Sequence, residues 1–134
     1  MKVLTIAIIT LLVSTSFLSC KKDSSKPSSS SPAIAGRFDG KYGFDSETPD
    51  SDYTLNIRAD GVIQEIGQAS GKPTGQGTWQ LNGNTLTATY KMLFSPYNQY
   101  SIVATFDAAT GKLTGTWGYD NSGTDGGKLD MTKN

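Results

Sequence analysis

The chain has 134 residues, with twelve Lys and Arg against twelve Asp and Glu, no histidine and a single cysteine. A formal charge of zero leaves no field to gather nucleic acid. The lack of histidine removes Ser-His-Asp and Cys-His nucleophile arrangements and imidazole zinc ligands, and one cysteine rules out a disulfide within the chain.

The chain opens with Met1-Lys2 and an apolar run from Val3 to Val13 broken only by Thr5 and Thr10. Phe17-Leu18-Ser19-Cys20 then sets a small residue directly before the only thiol. This arrangement resembles the lipobox of bacterial lipoproteins. The resemblance implies that residues 1–19 are a signal peptide and that Cys20 receives a diacylglyceryl group. The mature chain would then begin at Cys20 with an acylated amino terminus. Three other readings compete. A single-pass anchor needs about 20 apolar residues, and the run thins into Ser14-Thr15-Ser16. Ordinary secretory cleavage after Ser16 would leave an odd free thiol outside the cytoplasm. A buried core strand would have nothing to cover it. Each buried methylene contributes about 0.8 kcal/mol, and two or more acyl chains give stable anchoring, so a membrane is the expected partner through lipid on Cys20.

Residues 20–35 are rich in Ser, Lys and Pro and cannot bury enough surface to offset chain entropy. They read as a tether whose reach, for roughly 15 residues of flexible coil, is about 20 Å. Lys22-Asp23 resembles part of the export tag on surface lipoproteins of Bacteroidetes, which implies the bacterial cell envelope and its outer membrane.

Residues 36–134 read as strands and turns throughout. A first strand is expected around Gly40 to Asp45. Tyr53, Leu55, Ile57 and Ala59 alternate with Thr54, Asn56 and Arg58, and Asp60-Gly61 turns the chain into Val62 to Ile66. That alternation places Glu65 on the outer face. Gly77 to Leu81 passes through Asn82-Gly83-Asn84 into Thr85 to Met92, with Leu86, Ala88, Tyr90 and Met92 on one face. Tyr100, Ile102, Ala104 and Phe106 repeat the pattern, Ala108 to Gly111 closes a turn, and Leu113, Gly115, Trp117 and Tyr119 return. Lys128 to Lys133 ends the series.

About eight strands joined by short turns make an antiparallel meander with one apolar face and no helix to cover it. Closure on itself buries that face and removes the edges. The expected fold is therefore all-β, an up-and-down antiparallel barrel, with a two-sheet sandwich as the alternative. Gly77-Thr78-Trp79 and Gly115-Thr116-Trp117, with Gly40-Lys41-Tyr42 as a variant, resemble the Gly-x-Trp pattern of small lipocalin-like and avidin-like barrels. In particular they resemble the lipocalin-like domains carried by Bacteroidetes lipoproteins. In lipocalins the tryptophan lies on the first strand, where this chain has Tyr42. A glycine two places before an inward tryptophan shares its face, and leaves room for the indole or for a bend at a barrel corner.

Trp79, Tyr90, Tyr100, Phe106 and Trp117 are the candidate lumen residues, either as core or as the lining of a cavity for a small hydrophobic ligand. Leu93 and Phe94 break the alternation where the chain should turn, which reads as a cap on one barrel end or as an exposed contact. Two oxygen-rich loops, Asp120 to Asp125 and Glu47 with Asp50 and Asp52, offer either calcium ligands or ordinary turn chemistry. Neither fits a twelve-residue calcium loop, and no metal or cofactor is expected. No carboxylate pairs visibly with Glu65, so no catalytic residue is assigned. The expected function is non-enzymatic: an anchored barrel that binds a small hydrophobic ligand or serves as a scaffold. The alternative is a protein-interaction module resembling the envelope lipoproteins that inhibit lysozyme with their loops, which a filled barrel would favour. Carbohydrate binding by Tyr97 and Tyr100 would require coplanar, exposed rings.

Overall fold

The computed structural model describes residues 32–134, so the leader, Cys20 and most of the tether lie outside the described residues. The chain forms β1 (Gly36–Tyr42), β2 (Ser51–Ile57), β3 (Val62–Ile66), β4 (Pro73–Asn82), β5 (Thr85–Met92), β6 (Gln99–Asp107), β7 (Lys112–Tyr119) and β8 (Gly127–Lys133). Each strand pairs antiparallel with its neighbours in sequence, and β8 returns to pair with β1. The result is the closed up-and-down barrel expected from the alternation. Because β1 is bonded on both sides, to β2 and to β8, the two-sheet sandwich is excluded.

Period-two patterning explains the wall. In β5, Leu86, Ala88 and Tyr90 are buried while Thr87 and Lys91 are exposed. The tight turns fall where positive φ is available, at Gly61 and Gly83. The structure decides between the two roles offered for the glycine of Gly-x-Trp. A Cβ on Gly77 would collide with the backbone of Thr89 and Tyr90, and one on Gly115 with the backbone of Val103 and Ala104. The missing side chain therefore admits the neighbouring strand at a sharply coiled corner and is not needed to seat the indole. Gly40 meets Asp130 and Met131 in the same way.

Two strands begin earlier than expected. β1 starts at Gly36 and ends at Tyr42, carrying the fully buried Phe38, and β4 starts at Pro73. In both cases ladders to neighbouring strands hold backbone whose side chains show little alternation.

The barrel has two unlike ends. The turns at 58–61, 83–84 and 108–111 gather at one pole, and the longer loops 43–50, 67–72, 93–98 and 120–126 at the other. The turn pole is sealed. Ile34 is fully buried there, placed by a turn in which Ala35 N–H donates to Pro32 O (2.8 Å), while Lys133 Nζ donates to Ala33 O (2.7 Å). The end of the expected tether thus packs as part of the core. Beside it Phe38 and Phe106 meet edge to face at 5.9 Å, and Leu55, Ile63, Leu86, Leu113 and Met131 fill the lower lumen.

Candidate ligand-binding site

The loop pole opens into a cup of about 360 Å³. Its walls are the last inward residues of the strands that end there, with Tyr42 from β1, Tyr53 from β2, Glu65 and Ile66 from β3, Tyr90 and Met92 from β5, Tyr100 from β6 and Trp117 from β7. Phe44 and Tyr119 stand at the rim, each nearly half exposed. The space exists because β4 contributes no bulk at this height. Gly75 faces inward without a side chain, and the ring of Tyr90 lies where its Cβ would be.

Trp117 is the hub of an aromatic network. Its ring lies 5.7 Å from Tyr42, 5.5 Å from Phe44, 5.9 Å from Tyr100 and 5.3 Å from Tyr119, all at steep angles that set positive ring edges against negative faces. The indole N–H donates to Gly43 O at 3.0 Å and is buried. Gly126 lies against the same ring so closely that a Cβ would collide with it. Trp117 therefore ties the 43–50 and 120–126 loops to the wall, and its remaining contribution to the cup is π surface.

The hydroxyls of Tyr53 and Tyr90 are hydrogen-bonded to each other. Burial pushes both phenols above the ordinary tyrosine range, and the nearby Glu65 carboxylate pushes in the same direction. Both groups thus remain neutral hydroxyls. Glu65 pairs in register with Leu55 of β2, and it points into the lumen, not outward as the alternation implied. It follows Ile63 in period two on the inner face, and a bulge between Glu65 and Ile66 brings Ile66 to the inner side as well. Thr74 Oγ1 donates to Glu65 Oε1 at 3.1 Å, and among the described residues no Lys or Arg forms an ion pair with this carboxylate. The other acidic residue at the cup, Asp52, is held at its rim by Lys41 Nζ at 2.8 Å.

Of the five aromatic residues singled out in the sequence, the fold brings Tyr90, Tyr100 and Trp117 together in the cup. Phe106 belongs to the sealed half. Trp79 also lies outside the cup, its indole N–H donating to Arg58 O (2.9 Å) in the β2–β3 turn. Tyr42, Tyr53, Phe44, Tyr119 and Glu65 complete the cup and were not singled out as ligand residues. The available signal was position, since Tyr42 and Tyr53 flank the long 43–50 loop and Tyr119 precedes the 120–126 loop.

Leu93 (53% exposed), Phe94 (51%) and Tyr97 (63%) stand out from the rim and line no part of the cup. The 93–98 loop therefore stays exposed and does not cap the cup. Tyr100 turns inward while Tyr97 remains outside, so the two form no carbohydrate platform. In the 120–126 loop, Asp125 accepts from Tyr119 N–H (2.8 Å), Ser101 Oγ accepts from Gly123 N–H (2.7 Å) and Thr116 Oγ1 donates to Gly123 O (2.7 Å). These polar groups serve the turn and its packing on the outer wall. Among the described residues no three Asp, Glu, His or Cys side chains converge on a point. Comparison of the chain with protein-family models, with curated proteins and with solved structures finds no match in any of the three.

Proposed function

We propose that this chain is a non-enzymatic, lipid-anchored binding protein of the bacterial cell envelope, whose barrel holds a small, largely hydrophobic ligand in the cup at its loop pole. The observation that carries the reading is the cup itself. A volume of about 360 Å³ falls within the range of small-molecule sites, roughly 300–1,000 Å³, at the end suited to a compact ligand. Its walls combine aromatic surface with a few polar groups, the composition that fixes a ligand's orientation while excluding water. The lipobox resemblance at Phe17 to Cys20 supports the anchor.

A second reading, an interaction or inhibitor module, is favoured by Leu93, Phe94 and Tyr97 on the 93–98 loop, which present apolar surface beside the mouth. The filled lower lumen agrees with it, whereas the open upper cup favours the carrier. Native mass spectrometry of the full chain extracted from its own membrane separates them. A co-purifying small molecule is the expected result; a clean apo mass, together with failure to take up hydrophobic dyes, overturns the carrier reading. For the anchor, Cys20→Ser should accumulate as unprocessed precursor without labelled fatty acid, and unchanged labelling would reassign the lipid site.

A further inference from the structure

The charge of the cup has a sign. Among the described residues, Asp52 and Glu65 are its only charged lining residues, and no Lys or Arg lines it. Asp52 is already matched by Lys41. Glu65 has a hydroxyl donor, Thr74, but no cation among the described residues. A ligand that fills the cup strips water from this carboxylate, and a neutral apolar guest returns nothing for that loss. A fatty acid would add a second negative charge beside the first. An anionic or plain hydrocarbon guest is therefore opposed by the site that would hold it.

A positive guest is favoured twice. It meets the Glu65 carboxylate, and it meets a lining of aromatic rings whose faces carry a negative quadrupole, among them Trp117, whose N–H is spent on Gly43. The Tyr53–Tyr90 hydroxyl pair beside Glu65 supplies neutral dipoles and no competing charge. We propose that the cup takes an organic cation, an alkylammonium group enclosed by the rings of Tyr42, Tyr53, Tyr100 and Trp117 and facing Glu65. The assignment rests on the small-ligand reading above and names the ligand's chemical class.

The test uses the full lipidated chain in a non-ionic detergent and reads binding by titration calorimetry and tryptophan fluorescence. The probes are tetramethylammonium, choline and benzyltrimethylammonium, set against laurate and 3,3-dimethylbutanol, the neutral carbon analogue of choline. The ammonium probes should bind saturably, with choline at least about tenfold tighter than its neutral analogue, as a desolvated cation–π site with a counter-charge requires. Glu65→Gln keeps the shape and an oxygen acceptor for Thr74. It should weaken the ammonium probes by about tenfold or more and leave 3,3-dimethylbutanol no weaker than before, because the charge whose desolvation opposed it is gone, with unaltered circular dichroism as the check on folding. Should that variant fail to fold, Trp117→Phe replaces it and should weaken the ammonium probes more than the neutral alcohol. If laurate or the alcohol binds as tightly as choline, or if the folded Glu65→Gln variant binds ammonium as the parent does, the cation assignment is overturned and the small-ligand reading stands. If no probe of either kind binds up to low-millimolar concentration, the cation assignment falls, and the small-ligand reading is decided by whether a molecule co-purifies with the chain.

Discussion

Ile34 provides the sharpest test of where the folded unit begins. By composition it belongs to a solvated tether, yet its side chain is fully buried beneath the sealed pole, at the tip of a turn held by Pro32 O and by Lys133. Ile34→Ala removes three carbons, which at about 0.8 kcal/mol each is about 2.4 kcal/mol of lost transfer free energy. The void left beneath tightly packed neighbours raises the range for such truncations to about 2–5 kcal/mol. With a urea slope near 1.5 kcal/mol/M for a domain of this size, the unfolding midpoint should fall by about 2 M at unchanged slope. A residue in a solvated tether would shift stability by no more than about 0.5 kcal/mol, which is roughly 0.3 M. Equilibrium urea unfolding followed by far-UV circular dichroism distinguishes the two. A midpoint change of the smaller size would refute the packing of this turn into the barrel and return the domain boundary to Gly36.

Two other consequences can be checked on the same preparation. Gly115→Ala drives a Cβ into the backbone of Val103 and Ala104, whereas Gly83→Ala meets nothing and bears only the left-handed penalty of about 1–2 kcal/mol. The variant at 115 should lose more stability in urea unfolding than the one at 83, and the reverse order would show that β6 and β7 can part there. The raised phenols of Tyr53 and Tyr90 predict alkaline instability. A group whose folded value lies above its unfolded value contributes fully below about pH 10, the ordinary tyrosine value, and loses that contribution as pH rises toward the folded value. The urea midpoint should therefore decline above about pH 10, and the Tyr53→Phe/Tyr90→Phe double variant should flatten the decline. An equally steep fall in that variant would place the alkaline sensitivity elsewhere.

The architecture was legible because each hairpin carries its own signals. Alternation in Thr85 to Met92, the Asp60-Gly61 and Gly83 turns and the absence of any helical spacing all depend on near neighbours in the chain. The cup was only partly legible, because membership depends on height along the barrel axis and on register between strands. Trp79 and Trp117 occupy equivalent places in the sequence pattern, but one is tied to the turn pole and the other to the loop pole. Glu65 was misplaced for a more local reason. Ile63, Glu65 and Ile66 all face inward because a bulge after Glu65 brings Ile66 to the same side, so counting back in twos from the apolar Ile66 puts Glu65 outside. The start of the domain was missed at Ile34, since a single apolar residue after a serine tract shows no period at all.

Both described ends of the polypeptide sit at the pole opposite the cup. Lys133 reaches Ala33, and Asn134 N–H donates to Arg37 O at 3.0 Å. Any support that grips the chain upstream of Pro32 thus meets the barrel by its stopper, and a wall of seven or eight residues, on the order of 20 Å, separates that support from the opening. A reporter or affinity handle joined after Asn134 would share the side on which Pro32 lies and leave the aperture unobstructed, and the same proximity suits a rearranged chain in which the two described ends are spliced and a loop such as 93–98 is cut instead.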